Sequence, residues 1–285
     1  MSVGARDIVI ESERGPRYRH GMHSVEARPV GQLFREWRQR RGVSQLGLAL
    51  KAAISARHLS FLETGRARPS REMVLRLAEH LEVPLRQRNG LLLAAGYAPA
   101  FRERSLDDPA LAAAAQAIER LLKGHEPYPA LAVDRHWNLV KANRAITPFL
   151  NGVAPSLLEP PVNVLRLALH PDAMAPCIAN FAEWRAHILA RLRHQIDVTG
   201  DPVLVELLDE LRAYPAPAGG DTSTASGDSV LVPLRLNMPE GSLNLISTTM
   251  VFGTPLDITL SELALETFFP ADGASAELLR KLAPV

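Results

Sequence analysis

The sequence predicts an α+β protein, in which an all-α domain of five helices precedes an antiparallel sheet covered by helices. Three observations predict it. Between residues 30 and 96, apolar residues recur every three or four positions and serines stand where helices would begin. Around residues 130–143 the period changes to the alternation that is typical of strands. A Gly- and Ser-rich stretch then leads into two long β-prone segments between residues 230 and 252.

Five short segments with helical spacing follow one another in the first domain, residues 30–96. Ser44, Ser55 and Ser70 each stand directly before an apolar stripe, and serine is a favoured N-cap because its hydroxyl accepts a hydrogen bond from a free backbone N–H group. The predicted helices are Gly31–Arg41, a segment from Ser44 to Leu50, a segment from Ser55 to Thr64, a segment from Ser70 to Leu81, and Pro84–Ala95. A tight turn over Ala52–Ile54 joins the second helix to the third.

A second domain is predicted over residues 110–285, after a linker at residues 97–109 that carries Pro and charged residues. Residues 1–29 have no sustained period and are expected to form a flexible arm. The second domain is predicted to contain, in order, a helix over Ala110–Leu122, a β-hairpin over Leu131–Asn143, helices over Val164–Leu169, Ala179–Gln195 and Val203–Ala213, a flexible loop over Gly219–Asp228, strands over Val230–Asn237 and Ser242–Phe252, and a final short helix after the segment LSELALETFFPAD.

Composition narrows the class of protein. No apolar run reaches the roughly 20 residues that a membrane span needs, and the first 28 residues lack the apolar centre of a secretory signal, so a cytoplasmic protein is expected. The single cysteine, Cys177, excludes an intramolecular disulfide and a thiolate zinc site. Residues 1–100 contain 17 Lys and Arg against 9 Asp and Glu, whereas the remainder contains 15 against 22. The basic half of the chain favours a polyanionic partner.

The segment VSQLGLALKAAISARHLSFLETGRARPS, residues 43–70, places two helices on either side of a short turn, which is the helix-turn-helix arrangement. It resembles the lambda-repressor-like, Cro/C1-type (XRE) DNA-binding domain through Ser44-Gln45, Ala49, Ile54-Ser55 and Leu62-Glu63-Thr64-Gly65. The resemblance implies a sequence-specific regulator that binds double-stranded DNA. Because such domains read paired half-sites, we expect a homodimer.

The third predicted helix begins with small and basic side chains, which suits a helix that enters the major groove by its first turn. Arg57 can contact guanine, and Gln45 can bind a phosphate or brace the recognition helix, while solvation of Arg57 and His58 is the alternative. Arg66 and Arg68 follow the exit glycine as phosphate contacts. The DNA-binding candidates are Ser44, Gln45, Ser55, Ala56, Arg57, His58, Ser60, Arg66 and Arg68.

Residues 110–285 resemble the ligand-binding domain of MmyB-like transcription regulators, through ALAVDRHWNLVKANRA, NVLRLALHPDAM, FAEWRAHILARL and TTMVFGTPLDITLSELALETFFPAD. The resemblance implies a PAS-like fold with a pocket for a small apolar ligand such as a fatty acid. Apolar walls with a few polar groups suit such a ligand, although each residue could equally be ordinary core. The ligand-binding candidates are Trp137, Val140, Asn143, Phe149, Arg166, Phe181, Trp184, His187, Ile246, Met250 and Phe252.

Enzyme signatures are missing from the sequence, which has no HExxH, GxSxG, GKS or GKT motif. His187 and His194 are seven residues apart on one predicted helix but lack a carboxylate or third histidine at ligand spacing, so neither a metal nor a cofactor is expected. The alternative to a ligand-responsive regulator is a DNA-binding protein that responds to no effector and whose second domain serves only dimerisation or protein interaction.

Overall fold

The computed structural model describes residues 28–217 and 231–283 of the chain. The first domain consists of five helices, α1 (Val30–Arg40), α2 (Gln45–Lys51), α3 (Ala56–Glu63), α4 (Arg71–His80) and α5 (Leu85–Ala94). The five predicted helices are therefore confirmed, with ends that differ by one or two residues. Residues 1–27 of the predicted arm and the predicted loop at Gly219–Asp228 lie outside the described residues.

Serine side chains begin three of these helices, as the sequence predicts. Ser44, Ser55 and Ser70 each accept a hydrogen bond from the backbone N–H three residues further on, over distances of 3.0 to 3.2 Å. Each cap satisfies one of the N–H groups that the first turn of a helix leaves without an intrahelical partner. The boundaries of the short helices α2, α3 and α4 are thus set locally.

The first domain packs around a small apolar centre that includes Phe34, Leu48, Leu59 and Leu77, all fully buried. Helices α1 and α3 approach each other closely at Gly31. A Cβ atom added to Gly31 would lie 2.1 Å from the carbonyl oxygen of Leu62, far inside a van der Waals contact. Only glycine therefore allows this approach, which holds α3 against α1.

The second domain contains α6 (Ala112–Gly124), β1 (Ala130–Val133), β2 (Leu139–Ala142), α7 (Val164–Leu169), α8 (Phe181–Thr199), α9 (Pro202–Ala213), β3 (Leu234–Met238), β4 (Gly241–Val251), α10 (Ile258–Ser261), β5 (Ala264–Pro270) and α11 (Gly273–Leu282). The α+β class is confirmed. Helix α8 runs four residues beyond its predicted end at Gln195, and it stops where Gly200 adopts a left-handed conformation with φ of 67°. None of the described helices combines the length and the apolar character needed to cross a membrane.

The five strands form one antiparallel sheet in the order β2-β1-β5-β4-β3. The sequence predicted four strands and left the segment of β5 unassigned, yet β5 lies at the centre of the sheet. The predicted strand Val230–Asn237 begins only at Leu234. Its predecessor, Pro233, has no backbone N–H and cannot continue a ladder of hydrogen bonds, which explains the late start.

Helices cover both faces of this sheet. On the first face, Leu131 and Val133 of β1 pack with residues of α8 and α9 in the main core of the domain. On the second face, Ala130 and Ala132 pack with α6 in a separate cluster. We call these the α8 face and the α6 face. Side chains alternate between faces along a strand, so neighbours in sequence belong to different cores.

The linker between the domains is ordered and hydrogen-bonded to the second domain. The backbone N–H of Ile258 donates to the carbonyl oxygen of Arg102 over 2.8 Å, and the hydroxyl of Thr259 donates to that of Arg104 over 2.5 Å. The guanidinium group of Arg104 also donates to buried Asp257 over 2.8 Å. The linker therefore follows a defined path against α10.

The two domains also contact each other directly at the carboxyl end of α8. The guanidinium group of Arg41 donates to the carbonyl oxygen of Val198 over 3.3 Å, and the side-chain amide of Gln87 donates to that of Thr199 over 3.4 Å. Cations and amide donors suit this place because the last carbonyl groups of a helix have no intrahelical partner. Helix α8 thus reaches from the core of the second domain to the first domain.

Candidate functional site

Helices α2 and α3 are joined by a turn in which Ala53 has φ of 52°, a left-handed value that is unusual for a residue with a side chain. The backbone N–H of Ile54 donates to the carbonyl oxygen of Ala49 over 3.0 Å and closes the turn. The first turn of α3 projects from the domain with Ser55 and Arg57 exposed. This is the arrangement of a helix-turn-helix, in which the second helix presents its amino end.

A buried carboxylate holds α3 in place. Glu63, 8% exposed, accepts hydrogen bonds from the guanidinium group of Arg38 at 2.6 and 2.9 Å and from the side-chain amide of Gln45 at 3.0 Å. The hydrogen bonds that Arg38 donates to Glu63 raise the pKa of Arg38 above its ordinary value. Glu63 therefore links α1, α2 and α3, and Gln45 braces α3 through this carboxylate.

Two exposed arginines, one on α3 and one just beyond its end, lie over the same aromatic ring of α3. The guanidinium groups of Arg57 and Arg66 lie 5.3 and 5.9 Å from the ring centroid of Phe61, within range of cation–π contact. Neither arginine, nor exposed Arg68, forms a salt bridge with a carboxylate in the described part of the chain. Stacking leaves their N–H groups available for phosphate or base edges. Sequence reasoning missed Phe61, which its helical spacing from Arg57 could have suggested.

The remaining DNA-binding candidates either cap a helix or lie along α3. Ser44 and Ser55 use their hydroxyls as helix caps, while Ala56, His58 and Ser60 are half-buried along α3. The nine DNA-binding candidates thus lie on or beside α2 and α3. Among them the exposed arginines are the cations that can reach a polyanion.

On the α8 face, one polar atom stands out in an apolar environment. Trp184 is 5% exposed and packs in the main core with residues such as Ile188 and Leu192, and its indole N–H has no hydrogen-bond partner among the described residues. Burying such a donor without a partner costs about 1–3 kcal/mol. A bound group that accepts a hydrogen bond there would remove this cost.

Other polar side chains of α8 follow Trp184 along the helix. The imidazole of His187 lies 5.4 Å from the indole of Trp184, and burial together with the charge of Arg191 lowers its pKa. Arg191 donates to buried Glu266 of β5 over 2.8 Å, and its guanidinium carbon lies 5.0 Å from the ring of Trp137. These effects favour the neutral form of His187, and the positive charge of Arg191 is compensated by the carboxylate of Glu266.

Trp137 lies in the turn between β1 and β2 and has a left-handed backbone with φ of 67°. Its indole N–H donates to the side chain of Gln195 over 2.8 Å, and the amide of Gln195 donates to the carbonyl oxygen of Arg135 over 2.8 Å. Gln195 thereby ties the hairpin turn to α8. Trp137 and Trp184 differ in that the indole N–H of Trp137 has a partner.

The eleven ligand-binding candidates do not form one set, because the sheet separates them. Trp137, Phe149, Phe181 and Trp184 are buried on the α8 face. Val140 and Phe252 pack on the α6 face, and the alternation of β4 directs Ile246 and Met250 to that face as well. The sheet therefore prevents these two groups of candidates from lining one shared pocket. Phe252 lines a surface cavity of about 420 Å³ between the linker and the segment that follows β4.

Two further candidates are engaged elsewhere. The amide of Asn143 makes three hydrogen bonds with backbone groups: its oxygen accepts from Ala130, and its nitrogen donates to the carbonyl groups of Leu122 and Tyr128. Arg166 forms a two-pronged salt bridge with Glu210 of α9, both bonds being 2.8 Å long. Asn143 and Arg166 therefore already have partners within the protein and act as structural residues. Sequence alone selects such polar residues as candidates without showing what they contact.

Comparison with protein families finds two matches. A helix-turn-helix domain model matches residues 29–91, and the model described as MmyB-like transcription regulator ligand binding domain matches residues 114–282. Comparison with curated proteins gives no match. Both families are regulatory, which points to a protein that is not an enzyme. The second match spans more than half of the chain, so the chain belongs to the MmyB-like transcription regulators, with a DNA-binding helix-turn-helix domain followed by the ligand-binding domain of that family.

Proposed function

We propose that the protein is a dimeric, sequence-specific regulator of transcription whose affinity for its operator is set by a small apolar ligand in the second domain. The observation that carries the proposal is the buried, unpartnered indole N–H of Trp184 in a core of aliphatic side chains. It supports a ligand with an apolar body and one hydrogen-bond acceptor. A fatty acid has both features.

The DNA-binding half of the proposal rests on the exposed arginines on α3 and just after it. Inserted into the major groove by its first turn, α3 brings Arg57 to the base edges, where a guanidinium group can bind O6 and N7 of guanine. Arg66 and Arg68 lie beyond the helix end and would contact phosphates, which carry no sequence information. Two copies related by a twofold axis would read half-sites about 34 Å apart.

The ligand half rests on the line of side chains along α8. The acceptor group of the ligand would receive the hydrogen bond of Trp184 beside His187, whose neutral form is favoured. The acyl chain of the ligand would lie among the leucines of α8 and α9. A ligand changes DNA binding only if its affinity differs between the DNA-competent and DNA-incompetent states. A coupling free energy of about 1–3 kcal/mol is typical.

A pair of tryptophan variants tests the ligand half. Trp184→Phe keeps an aromatic ring and removes the N–H group, so we expect affinity for saturated fatty acids of increasing length to fall about tenfold, equivalent to about 1.4 kcal/mol. Trp137→Phe is the matched control, because its N–H is already bonded to Gln195. It should lose more folding stability than Trp184→Phe and less fatty-acid affinity. Thermal shift and calorimetric titration of the full chain measure both quantities.

The same experiment decides between the two classes of regulator. If no fatty acid or other apolar metabolite raises the melting temperature of the parent protein, the second domain serves dimerisation alone and the ligand half is wrong. Footprinting on DNA that flanks the coding gene tests the other half. Protection of a palindrome that weakens when the stabilising fatty acid is added would support both halves together.

A further inference from the structure

Strand β4 has an edge that the rest of the sheet leaves open. It runs from Gly241 to Val251, but β3 pairs only with its first part, up to the pair Leu234–Leu245. Pro233 ends the ladder on that side, as described above. From Ile246 to Val251, β4 is paired with β5 on one side, and no described strand lies on its other side.

The direction of the backbone groups can be assigned along this edge. The carbonyl oxygen of Asn244 accepts a hydrogen bond from the N–H of Ala271, on the β5 side. In an antiparallel ladder, successive residues turn their N–H and C=O groups to opposite sides. Ser247, Thr249 and Val251 therefore direct these groups to the open edge. Unpaired backbone groups in a row are a template for another extended strand.

The side chains of this segment favour pairing. The sequence ISTTMV, residues 246–251, has no charged residue and no proline, and it is rich in β-branched side chains. Met250 is 38% exposed and Val251 67%. Natural proteins usually protect a free edge with lysine, proline or a bulge. Since the described part of this edge carries none of these devices, solvent is not its expected partner.

We propose that the open edge of β4 pairs with the same edge of a second copy of the chain, in antiparallel orientation, and that the two five-stranded sheets then form one continuous sheet. The proposal rests on the dimeric regulator proposed above. A second copy is the occupant the edge favours, because a strand segment without charged residues meets an identical segment across a twofold axis. The charge of Arg191, which donates to Thr249 over 3.1 Å, is balanced by Glu266.

The register follows from the backbone assignment. Residues whose N–H and C=O groups point to the open edge must lie opposite residues of the second copy whose groups point there too. The longest ladder that meets this condition forms when Thr249 lies on the twofold axis. Ser247 then pairs with Val251 of the second copy, and Thr248 lies opposite Met250 of that copy on the α6 face. Directly opposed side chains on one face interact most strongly, and like charges placed there repel.

Charge variants at this pair test the proposal in the full chain. Thr248→Lys/Met250→Lys places lysines opposite each other in both symmetry-related pairs, and Thr248→Glu/Met250→Glu does the same with carboxylates. Light scattering after gel filtration, over a concentration series, should give a mass between one and two chains for the parent and the mass of one chain for each variant. A mixture of the two variants should recover the two-chain mass, with native mass spectrometry showing one copy of each.

A third variant controls for added charge. Glu240→Lys/Ser242→Lys puts lysines at exposed positions beside the part of β4 that β3 already covers, and it should dimerise like the parent. Circular dichroism checks the fold of each variant. A parent with one-chain mass at every concentration overturns the proposal, and so do charge variants that self-associate like the parent or a mixture that stays at one-chain mass.

The proposed function has separate readouts on the same samples. Fluorescence anisotropy with operator DNA and thermal shift with fatty acids do not depend on the mass measurement. A parent that binds both but remains at one-chain mass overturns edge pairing alone. A parent that dimerises through this edge and binds neither overturns the proposed function alone.

Discussion

Arg86 of α5 and Glu262, which follows α10, form two hydrogen bonds of 2.8 Å although 176 residues separate them in the chain. The same guanidinium group donates to Glu103 of the linker over 2.7 and 2.5 Å. Burial lowers the pKa of Arg86, but its hydrogen bonds to the two carboxylates outweigh burial and raise the pKa above its ordinary value. One side chain therefore joins the first domain, the linker and the second domain.

Removing the less exposed carboxylate of this junction should cost the most stability. Glu262→Gln leaves a partly buried guanidinium group with a weaker acceptor, and we expect the free energy of unfolding to fall by about 1–3 kcal/mol. Glu103→Gln is the matched control, because its side chain is 53% exposed against 17% for Glu262, and it should cost at most about 1 kcal/mol. Urea unfolding of both variants measures the difference. Equal losses would contradict the assignment of Glu262 as the principal partner.

Two arginines on the same aromatic ring should have different effects on DNA binding. Arg57→Ala should lower affinity for the operator by about 1–3 kcal/mol and leave binding to unrelated DNA nearly unchanged, because the proposed function has Arg57 contact base edges. Arg66→Ala should weaken binding to all sequences alike and reduce the dependence of affinity on salt, as expected for a phosphate contact. Fluorescence anisotropy at several salt concentrations separates the two. An Arg57→Ala protein that binds its operator like the parent at matched salt would show that α3 does not read bases.

The half-buried imidazole of His187 on α8 should make the protein sensitive to acid. Burial, and then the charge of Arg191, lower the pKa of His187 below its ordinary value of 6.5. As the pH falls through 6.5, the unfolded chain takes up a proton at this residue more readily than the folded chain does, so stability decreases. His187→Gln should therefore gain stability relative to the parent between pH 8 and pH 5. Urea midpoints at the two pH values test this, with His194→Gln, on the exposed side of α8, as the matched control.

The turn between α2 and α3 should tolerate glycine better than alanine. Ala53 has φ of 52°, and a left-handed backbone costs a residue with a side chain about 1–2 kcal/mol. Ala53→Gly relieves this cost but makes the unfolded chain more flexible, so we expect a net gain in stability of up to about 1 kcal/mol. Ala56→Gly, at the start of α3, should instead lose stability. A lower melting temperature for Ala53→Gly would contradict the expected relief of strain.

The first domain could be predicted closely from sequence because its signals are local. Ser44, Ser55 and Ser70 each act within three residues of their own position, and the apolar stripes need only the helical period. What local reasoning could not find is Gly31, whose role depends on a carbonyl group 31 residues further along the chain. It also missed Phe61, because an aromatic residue on a helix is usually assigned to the core, although its spacing of four residues from Arg57 is a local signal.

The second domain was harder because its sheet is built from distant segments. Glu266 makes β5 look unlike a buried strand. Arg191, 75 residues earlier, and Thr249 of β4 both donate hydrogen bonds to it, which explains why a carboxylate can be buried there. The candidate pocket residues were chosen by size and polarity. Which face Met250 or Trp184 belongs to depends on strand register and helix placement, and neither can be read from residue type.

Helix α8 connects two places that the sequence keeps apart. Its side chain at Trp184 lies in the apolar core, and its carbonyl groups at Val198 and Thr199 accept hydrogen bonds from Arg41 and Gln87 of the first domain. Fifteen residues of helix span about 22 Å, so a tilt of about 5° at one end moves the other end by about 2 Å. Helix α8 is therefore a direct connection between the core around Trp184 and the DNA-binding domain. A tilt of that size would move the carbonyl groups that accept from Arg41 and Gln87 by about two-thirds of the length of a hydrogen bond.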